Sequence, residues 1–363
     1  MNTYLAGYDG GNGVAKLLLF DPAGQAQHLA IPSAVASGTL SDLQASRAAS
    51  GQQERAGLGE EDYVLVHGGT SLYMGRLALV QAADPQESRG DINRYWSLGA
   101  LRFLLTLSGA LIFDREFRLV VVSGLPAETY SSANRKRVQT ALEGTHPFTL
   151  NGQERLAHIE VAAVVQEGAG GTVLFGSRKP VKQATIDVGE RTTDIWVARG
   201  QEAISTLCKG IDKGVGYAAD LLAERVFAAY RRKLTTLECR AILQAHVTAG
   251  MTYPDIAVSG HTIPRAELWG WAEGALRQTG ELICSFLRKV LRSTEQGDVG
   301  TDLDSALLVG GGAYYFQHDI RAVLPFAEVA TDAEFVNALF YAKTARRLVE
   351  RRSAQTQPVR AAL

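Results

Sequence analysis

The sequence has little cysteine and no long apolar run. Its cysteines, Cys208, Cys239 and Cys284, are odd in number and widely spaced, which fits neither a disulfide framework nor a zinc site. A reducing cytoplasm is the expected setting for such a chain. The longest uncharged apolar stretch, residues 103–113, is too short to span a bilayer and is typical of a buried helix. Since the N-terminus has no basic region followed by an apolar run, we expect neither a signal peptide nor a membrane span.

The chain also lacks an excess of either charge. Its 37 basic and 38 acidic residues leave a net charge of −1, so direct binding to nucleic acid or to an anionic membrane is not expected. The seven histidines are scattered without the spacing of metal ligands. At 363 residues the chain is longer than one hydrophobic core usually supports, which predicts two domains.

Apolar patterning predicts strands and helices in alternation. Residues 117–123 form a continuous apolar run typical of a strand buried on both faces. The patterns over residues 94–113 and 264–292 predict helices. Residues 37–61, rich in small, polar and charged residues, are predicted to form a long surface loop. This alternation favours an α/β protein with mixed sheets.

Glycine is abundant, and the first of three glycine-rich turns lies near the N-terminus. Asp9 ends a predicted strand, and its carboxylate can project from the end of that strand. Gly11 and Gly13, with Asn12 between them, let backbone amides approach an oxyanion without a Cβ in the way. Lys16 adds a positive charge for a phosphate. An ordinary glycine turn with a surface aspartate is the alternative interpretation.

The second turn connects predicted strands at residues 185–188 and 195–198. Asp187 is placed to hold Mg²⁺ through water, because magnesium keeps much of its hydration shell. Gly189 allows close approach, and Thr192 and Thr193 offer hydroxyl donors to phosphate oxygens. A purely structural turn rich in threonine and aspartate is an equally open interpretation.

The third turn follows a predicted strand at residues 306–309. Gly310, Gly311 and Gly312 can form a flat surface against adenine or ribose, or a simple strand-to-helix turn. Two better-known glycine motifs are disfavoured. Lys16 does not stand in a P-loop pattern, and the first turn leads into a strand rather than into the helix that a dinucleotide fingerprint requires.

The order and spacing of the three turns resemble the actin, Hsp70 and sugar-kinase ATPase superfamily. Further segments, at residues 31–33, 95–101, 123–126 and 334–341, are similar to the bacterial plasmid-segregation actins of the ParM/StbA type and to archaeal actin-like proteins. The resemblance implies an α/β fold of two related domains, each with a mixed five-stranded sheet flanked by helices.

The resemblance also implies domain boundaries. Domain I comprises residues 1–180 and 331–363, and includes a loop-rich subdomain at about 32–93. Domain II comprises residues 181–330. The family binds ATP with Mg²⁺ between its domains, hydrolyses it slowly and assembles with itself into filaments, and GTP remains open because glycine backbones do not read a base edge.

Roles for individual residues follow from the same resemblance. Glu167 falls where the family positions the attacking water, and Asp9 and Asp187 share the metal and water chemistry. Gly214 precedes a predicted helix whose entry turn approaches the nucleotide. The expected work is plasmid or DNA segregation or intracellular positioning, with a DNA-binding adaptor as a candidate partner. Two alternatives stay open: a small-molecule kinase that does not polymerise, and a nucleotide-binding scaffold.

The second turn departs from the family pattern at two positions. Glu190 and Arg191 replace small residues often found there. Glu190 is counted among the residues expected at the nucleotide, yet an acid beside a phosphate is unfavourable unless its carboxylate points away. Its orientation therefore bears directly on nucleotide affinity and hydrolysis.

Overall fold

The computed structural model describes residues 1–49, 58–82, 84–87, 92–175, 181–200, 202–292 and 299–356, and all structural statements refer to these. The chain divides into two compact units. The first consists of Met1–Gln166 and Asn337–Leu363, and the second of Glu167–Val336. The helix Ala169–Phe175 therefore belongs to the second unit and not to the first as the sequence predicted, because it packs on strands of the second sheet.

The first unit combines a large sheet with helices. Its strands are β1 (Asn2–Gly10), β2 (Val14–Phe20), β3 (Ala26–Pro32), β4 (Ala34–Ser37), β5 (Tyr63–His67), β6 (Thr70–Met74), β7 (Gln86–Glu87), β8 (Glu116–Leu125), β9 (Gly144–Leu150) and β10 (Gln153–Gln166). Its helices are α1 (Leu40–Ala49), α2 (Arg76–Gln81), α3 (Leu98–Leu111), α4 (Ser132–Leu142) and α10 (Val336–Thr356). Four strands and two helices lie at about residues 32–93, where the sequence predicted a loop-rich subdomain, and residues 50–57, 83 and 88–91 of that range lie outside the described residues.

The sheet of the first unit is ten-stranded, in the order β3-β2-β1-β8-β10-β9-β5-β6-β4-β7. β1 is antiparallel to β2 and parallel to β8, and β8 is parallel to β10. Only Ser33 separates β3 from β4 in the chain, although they lie far apart in the strand order. The sheet must therefore curl strongly to bring its two ends together.

Helix α3 packs against the curled sheet. It contacts β1, β2, β3, β5 and β9, and most of its residues are buried. A helix that is apolar on nearly all sides is stable only when enclosed in this way. Gly109 permits the close approach, because a Cβ there would lie 2.8 Å from a ring carbon of Phe148.

Helix α10 covers β1 and β8 at two further glycines. A Cβ on Gly7 would lie 2.0 Å from the carbonyl oxygen of Ala338, and a Cβ on Gly124 would overlap the ring of Tyr341. Tyr341 is fully buried. The last described helix is thus an integral part of the first unit's core.

The second unit is built on a smaller mixed sheet. Its strands are β11 (Lys182–Val188), β12 (Thr193–Arg199), β13 (Glu202–Ala203), β14 (Lys209–Ile211), β15 (Ala257–Val258), β16 (His261–Thr262), β17 (Ser305–Val309) and β18 (Ala327–Val329). Its helices are α5 (Ala169–Phe175), α6 (Val215–Tyr230), α7 (Thr236–Val247), α8 (Arg265–Val290) and α9 (Ala313–Val323). The main sheet has the order β13-β12-β11-β17-β18, with β14 also paired to β12.

The two main sheets share a pattern of connections. In each, an antiparallel meander (β1 to β3, or β11 to β14) is followed by two strands parallel to its first strand. The predicted α/β fold with two mixed sheets flanked by helices is confirmed, although each sheet has more than five strands. Among the described residues, no helix is both long and apolar enough to cross a bilayer.

Candidate functional site

The first glycine turn places an acid and a base side by side. Asp9 and Lys16 face each other in the register of β1 and β2, and the Lys16 Nζ lies 3.6 Å from the Asp9 Oδ2. Both side chains are about nine-tenths buried. A Cβ on Gly11 would lie 2.5 Å from the carbonyl oxygen of Val14, so the tight turn requires glycine there.

The carbonyl oxygens of the first turn are held by residues outside it. Ser33 donates from its hydroxyl to the Gly11 oxygen at 2.7 Å and from its backbone amide to the Gly13 oxygen at 2.9 Å. The Arg94 Nε donates to the Gly10 oxygen at 3.3 Å. Neither side chain was predicted to hold the turn, because Ser33 and Arg94 lie 22 and 84 residues from their partners in the sequence.

We expect Ser33→Ala to loosen the first turn. The variant leaves the Gly11 carbonyl without its hydroxyl donor and should lower the free energy of unfolding by about 1 kcal/mol. Chemical denaturation compares it with Ser132→Ala, which alters an exposed serine at the start of α4. Equal midpoints for the two variants would contradict a structural role for the Ser33 hydroxyl.

A cavity of about 200 Å³ lies beside the first turn, lined by residues that include Tyr8, Ser33, Arg94 and Phe103. The Tyr8 hydroxyl donates to the carbonyl oxygen of Ala100 at 3.0 Å, and burial raises the pKa of this hydroxyl. The volume is below the roughly 300–1,000 Å³ of most ligand pockets. It suits ordered water or a small group.

The second turn is a closed hairpin between β11 and β12. Asp187 and Asp194 lie opposite each other in the strand register, and both are buried. The Gly189 amide donates to the Thr192 oxygen at 2.8 Å and closes the turn. Thr192 remains partly exposed. Asp187 and Thr192 are therefore the turn's candidate ligand groups.

Thr193, which was predicted to face a phosphate, has a partner within the second unit. Its side chain is completely buried, and its hydroxyl donates to the carbonyl oxygen of Lys213 at 2.7 Å. The predicted contact between this hydroxyl and a phosphate stays a prediction. The bond anchors β12 to the segment that leads into α6.

The third turn packs directly on the second. β17 is parallel to β11, with Val309 opposite Asp187. Gly310 has a φ of 81°, and a Cβ there would lie 2.3 Å from the Asp187 Oδ1. The Gly312 amide donates to the Val188 oxygen at 2.8 Å, whereas a Cβ on Gly311 would meet open space. The two turns thus form one surface at the carboxyl ends of neighbouring parallel strands, where ligands bind in open α/β sheets.

The first backbone amides of α6 bind the second turn. The amides of Val215 and Gly216 donate to the oxygens of Gly189 and Glu190, at 3.2 and 2.7 Å. A Cβ on Gly214 would lie 2.4 Å from the Gly189 oxygen. These two amides therefore already have partners, and the approach of this turn to a nucleotide stays a prediction.

The side chains of Glu190 and Arg191, the two residues that depart from the family pattern, form ion pairs with helices of the second unit. The Glu190 carboxylate forms an ion pair with Arg240 of α7 at 3.3 Å, and Arg191 pairs with Asp220 of α6. The acid that sequence analysis placed among the nucleotide contacts is therefore neutralised within the second unit.

Glu167 lies at the start of the second unit. It is half-buried and stands between β10 and α5, and α5 packs on β11, the strand that carries Asp187. Gly168 follows with a φ of 82° and lies against Trp196.

Taken separately, the first and the second turn each offer one strand-end carboxylate of the kind that holds a hydrated magnesium ion. Among the described residues, no group of three or more histidine, cysteine, aspartate and glutamate side chains could hold a metal. Asp9 and Asp187 each supply a carboxylate at the end of a strand. Mg²⁺ commonly binds through one or two carboxylates, with waters and substrate phosphates completing its shell.

Comparisons with known proteins agree with the resemblance. Residues 7–170 match the family described as actin-like proteins, N-terminal domain. A comparison with curated proteins found no match.

Solved structures match nearly the whole chain. An archaeal actin homologue is 20% identical, with a TM-score of 0.71, over 96% of this chain and 100% of that one. A ParM from a 15-stranded filament of Clostridium botulinum is 18% identical, with a TM-score of 0.74, over 96% and 100%. Bacillus thuringiensis ParM with ATP is 16% identical, with a TM-score of 0.62, over 98% and 100%.

Proposed function

We propose that this chain, an actin-like protein in its fold and its N-terminal domain, is an ATPase that binds ATP with Mg²⁺ and assembles with itself into nucleotide-dependent filaments. Slow hydrolysis would accompany assembly, and the filaments would segregate DNA or position other cargo in the cytoplasm. The composite surface of the second and third turns, built around Asp187 and Gly310, carries the proposal. The first unit repeats the acid-and-glycine hairpin at Asp9 and Gly11.

Each turn has a defined part in this proposal. Asp9 and Asp187 would hold waters of the Mg²⁺ ion, and bound Mg²⁺ would neutralise charge on the phosphates. Lys16 would attract the phosphates. The turn backbones at Gly11–Gly13 and Gly189 would supply amide donors, and the Thr192 hydroxyl a further one. Gly311, the open glycine of the third turn, would face the adenosine.

Named structures support both halves of the proposal. One ParM was solved with ATP, an archaeal actin homologue with ADP, and another ParM as a 15-stranded filament. Because proteins of this fold bind nucleotide and assemble, nucleotide binding and assembly are the first two properties to measure for this chain.

Light scattering and pelleting test assembly, with phosphate release followed in parallel. The protein is incubated with Mg·ATP, Mg·GTP, Mg·ADP or no nucleotide over a range of concentrations. We expect assembly and slow phosphate release with a triphosphate, and neither without nucleotide. Tight ATP binding with no assembly at any protein concentration would overturn the proposal that the protein forms filaments. In that case, stimulation of ATP turnover by an added small molecule would favour the small-molecule kinase. No stimulation by any added molecule would favour the nucleotide-binding scaffold.

Glu167→Ala should separate binding from hydrolysis. By the resemblance Glu167 orients the attacking water, so its loss should slow phosphate release by roughly a hundredfold with nucleotide affinity nearly unchanged. Single-turnover phosphate release and nucleotide titration measure the two effects. The control is Glu202→Ala, an exposed acid of the same unit. Normal hydrolysis in Glu167→Ala would remove this residue from the mechanism.

A further inference from the structure

The phosphate hairpin of the second unit carries an acid that its proposed ligand would repel. Glu190 lies between Gly189 and Arg191, at the tip of the hairpin. Its backbone is fixed, because its carbonyl oxygen accepts from the Gly216 amide at 2.7 Å. The orientation of the side chain then sets how near the carboxylate lies to a bound phosphate. Whatever orients that carboxylate therefore controls the charge beside the nucleotide.

Arg240 of α7 is the residue that holds this carboxylate. Its guanidinium lies 3.3 Å from the Glu190 Oε1, and the two side chains are only 21% and 19% exposed. Partial burial makes such a pair stronger than a fully solvated one, and makes either partner costly to leave alone. α7 is itself a firm support, because Thr235 and Glu238 form a capping box at its start.

A third side chain, that of Tyr315, interacts with the Glu190–Arg240 ion pair. Tyr315 lies in the first turn of α9, directly after the third glycine turn. The pKa of Tyr315 is raised to about 12, mainly by burial and also by Glu190, while Arg240 acts to lower it. The pair is thus close to the residues that follow the proposed adenosine turn.

We propose that Arg240 is a positioning residue for the nucleotide site: it holds and neutralises the Glu190 carboxylate, so that an acidic hairpin can accept a polyphosphate. The inference rests on the proposed function, because it presupposes phosphates at this hairpin. It predicts an effect that grows with the number of phosphates on the ligand. A residue needed only for folding would weaken all ligands alike.

The test is a titration of the purified full chain with ATP, ADP and adenosine in the presence of Mg²⁺. Arg240→Ala should weaken ATP binding roughly five- to tenfold, ADP binding less, and adenosine binding not at all, since the freed carboxylate repels each phosphate. Combining Glu190→Ala with Arg240→Ala should restore ATP affinity to within roughly twofold of the unmodified protein. Arg265→Ala removes an arginine from an exposed pair with Asp255 and serves as the matched control.

A second variant keeps the inference testable if Arg240→Ala does not fold. Glu190→Gln removes the acid but leaves Arg240 in place, and should tighten ATP binding by roughly two- to fivefold with adenosine binding unchanged. Weaker ATP binding in Glu190→Gln, or a double variant as weak as Arg240→Ala, would overturn the positioning role. An unmodified protein that binds none of the three ligands would instead refute the proposed function, and this inference with it.

Discussion

Replacing Gly310 with alanine should weaken nucleotide binding severely and destabilise the second unit. The new Cβ would lie 2.3 Å from the Asp187 Oδ1 and 2.4 Å from the Val188 carbonyl oxygen, and the φ of 81° disfavours any residue with a side chain. We expect a loss of about 3–4 kcal/mol in the free energy of unfolding. Since Asp187 must move, ATP affinity should fall by roughly a hundredfold or more.

The neighbouring glycine provides the matched control. A Cβ on Gly311 would meet no protein atom, so Gly311→Ala should unfold at the same denaturant concentration as the unmodified protein. Its nucleotide affinity should nevertheless fall, because the methyl group would stand where the adenosine is proposed to lie. Denaturation without nucleotide, followed by nucleotide titration, separates the two effects. Full affinity in Gly311→Ala would place the adenosine elsewhere.

Gly7→Ala should detach the C-terminal helix from the first unit. Its Cβ would lie 2.0 Å from the Ala338 oxygen and 2.5 Å from the Ala342 amide nitrogen. Both are backbone atoms of a helix, which cannot shift without disturbing that helix. Overpacking against backbone should cost about 3–5 kcal/mol of stability. Limited proteolysis should then cut α10, which Tyr341 otherwise anchors in the core. Chemical denaturation gives the magnitude.

Gly270→Ala is the opposite case on another helix. Gly270 lies in α8, is exposed, and has no atom within 4 Å of its would-be Cβ. Alanine is the better helix former, so this variant should gain about 0.5–1 kcal/mol. If Gly270→Ala lost as much stability as Gly7→Ala, the close approach of α10 would not explain the loss in Gly7→Ala.

The sequence predicted the features that depend on local patterns. The acid-and-glycine turns at Asp9 and Asp187 are visible because strand alternation and turn glycines are short-range signals. The resemblance built on them is confirmed by the match over residues 7–170 and by the fold. The α/β class follows from the same patterns. The roles assigned to the turn residues remain predictions for the experiments above.

Features set by distant partners could not be predicted in this way. Arg240 is 50 residues from Glu190, and Ser33 is 22 residues from Gly11, so no local pattern connects either pair. The bond from the Thr193 hydroxyl to the Lys213 oxygen was likewise not predictable, because Lys213 lies 20 residues away in another segment. The predicted loop at 37–61 contains α1, which only Leu43 anchors by full burial. So weak an apolar pattern does not distinguish a helix from a loop.

The packing of α10 on Gly7 has a consequence for how the protein is made. Since β1 precedes the whole second unit in the chain and α10 follows it, a ribosome releases β1, then the second unit and then α10. The first unit therefore cannot complete its core during translation, even though its ten strands have all emerged. A nascent chain would therefore leave the surface at Gly7 and Gly124 uncovered until the second unit and α10 have both been synthesised.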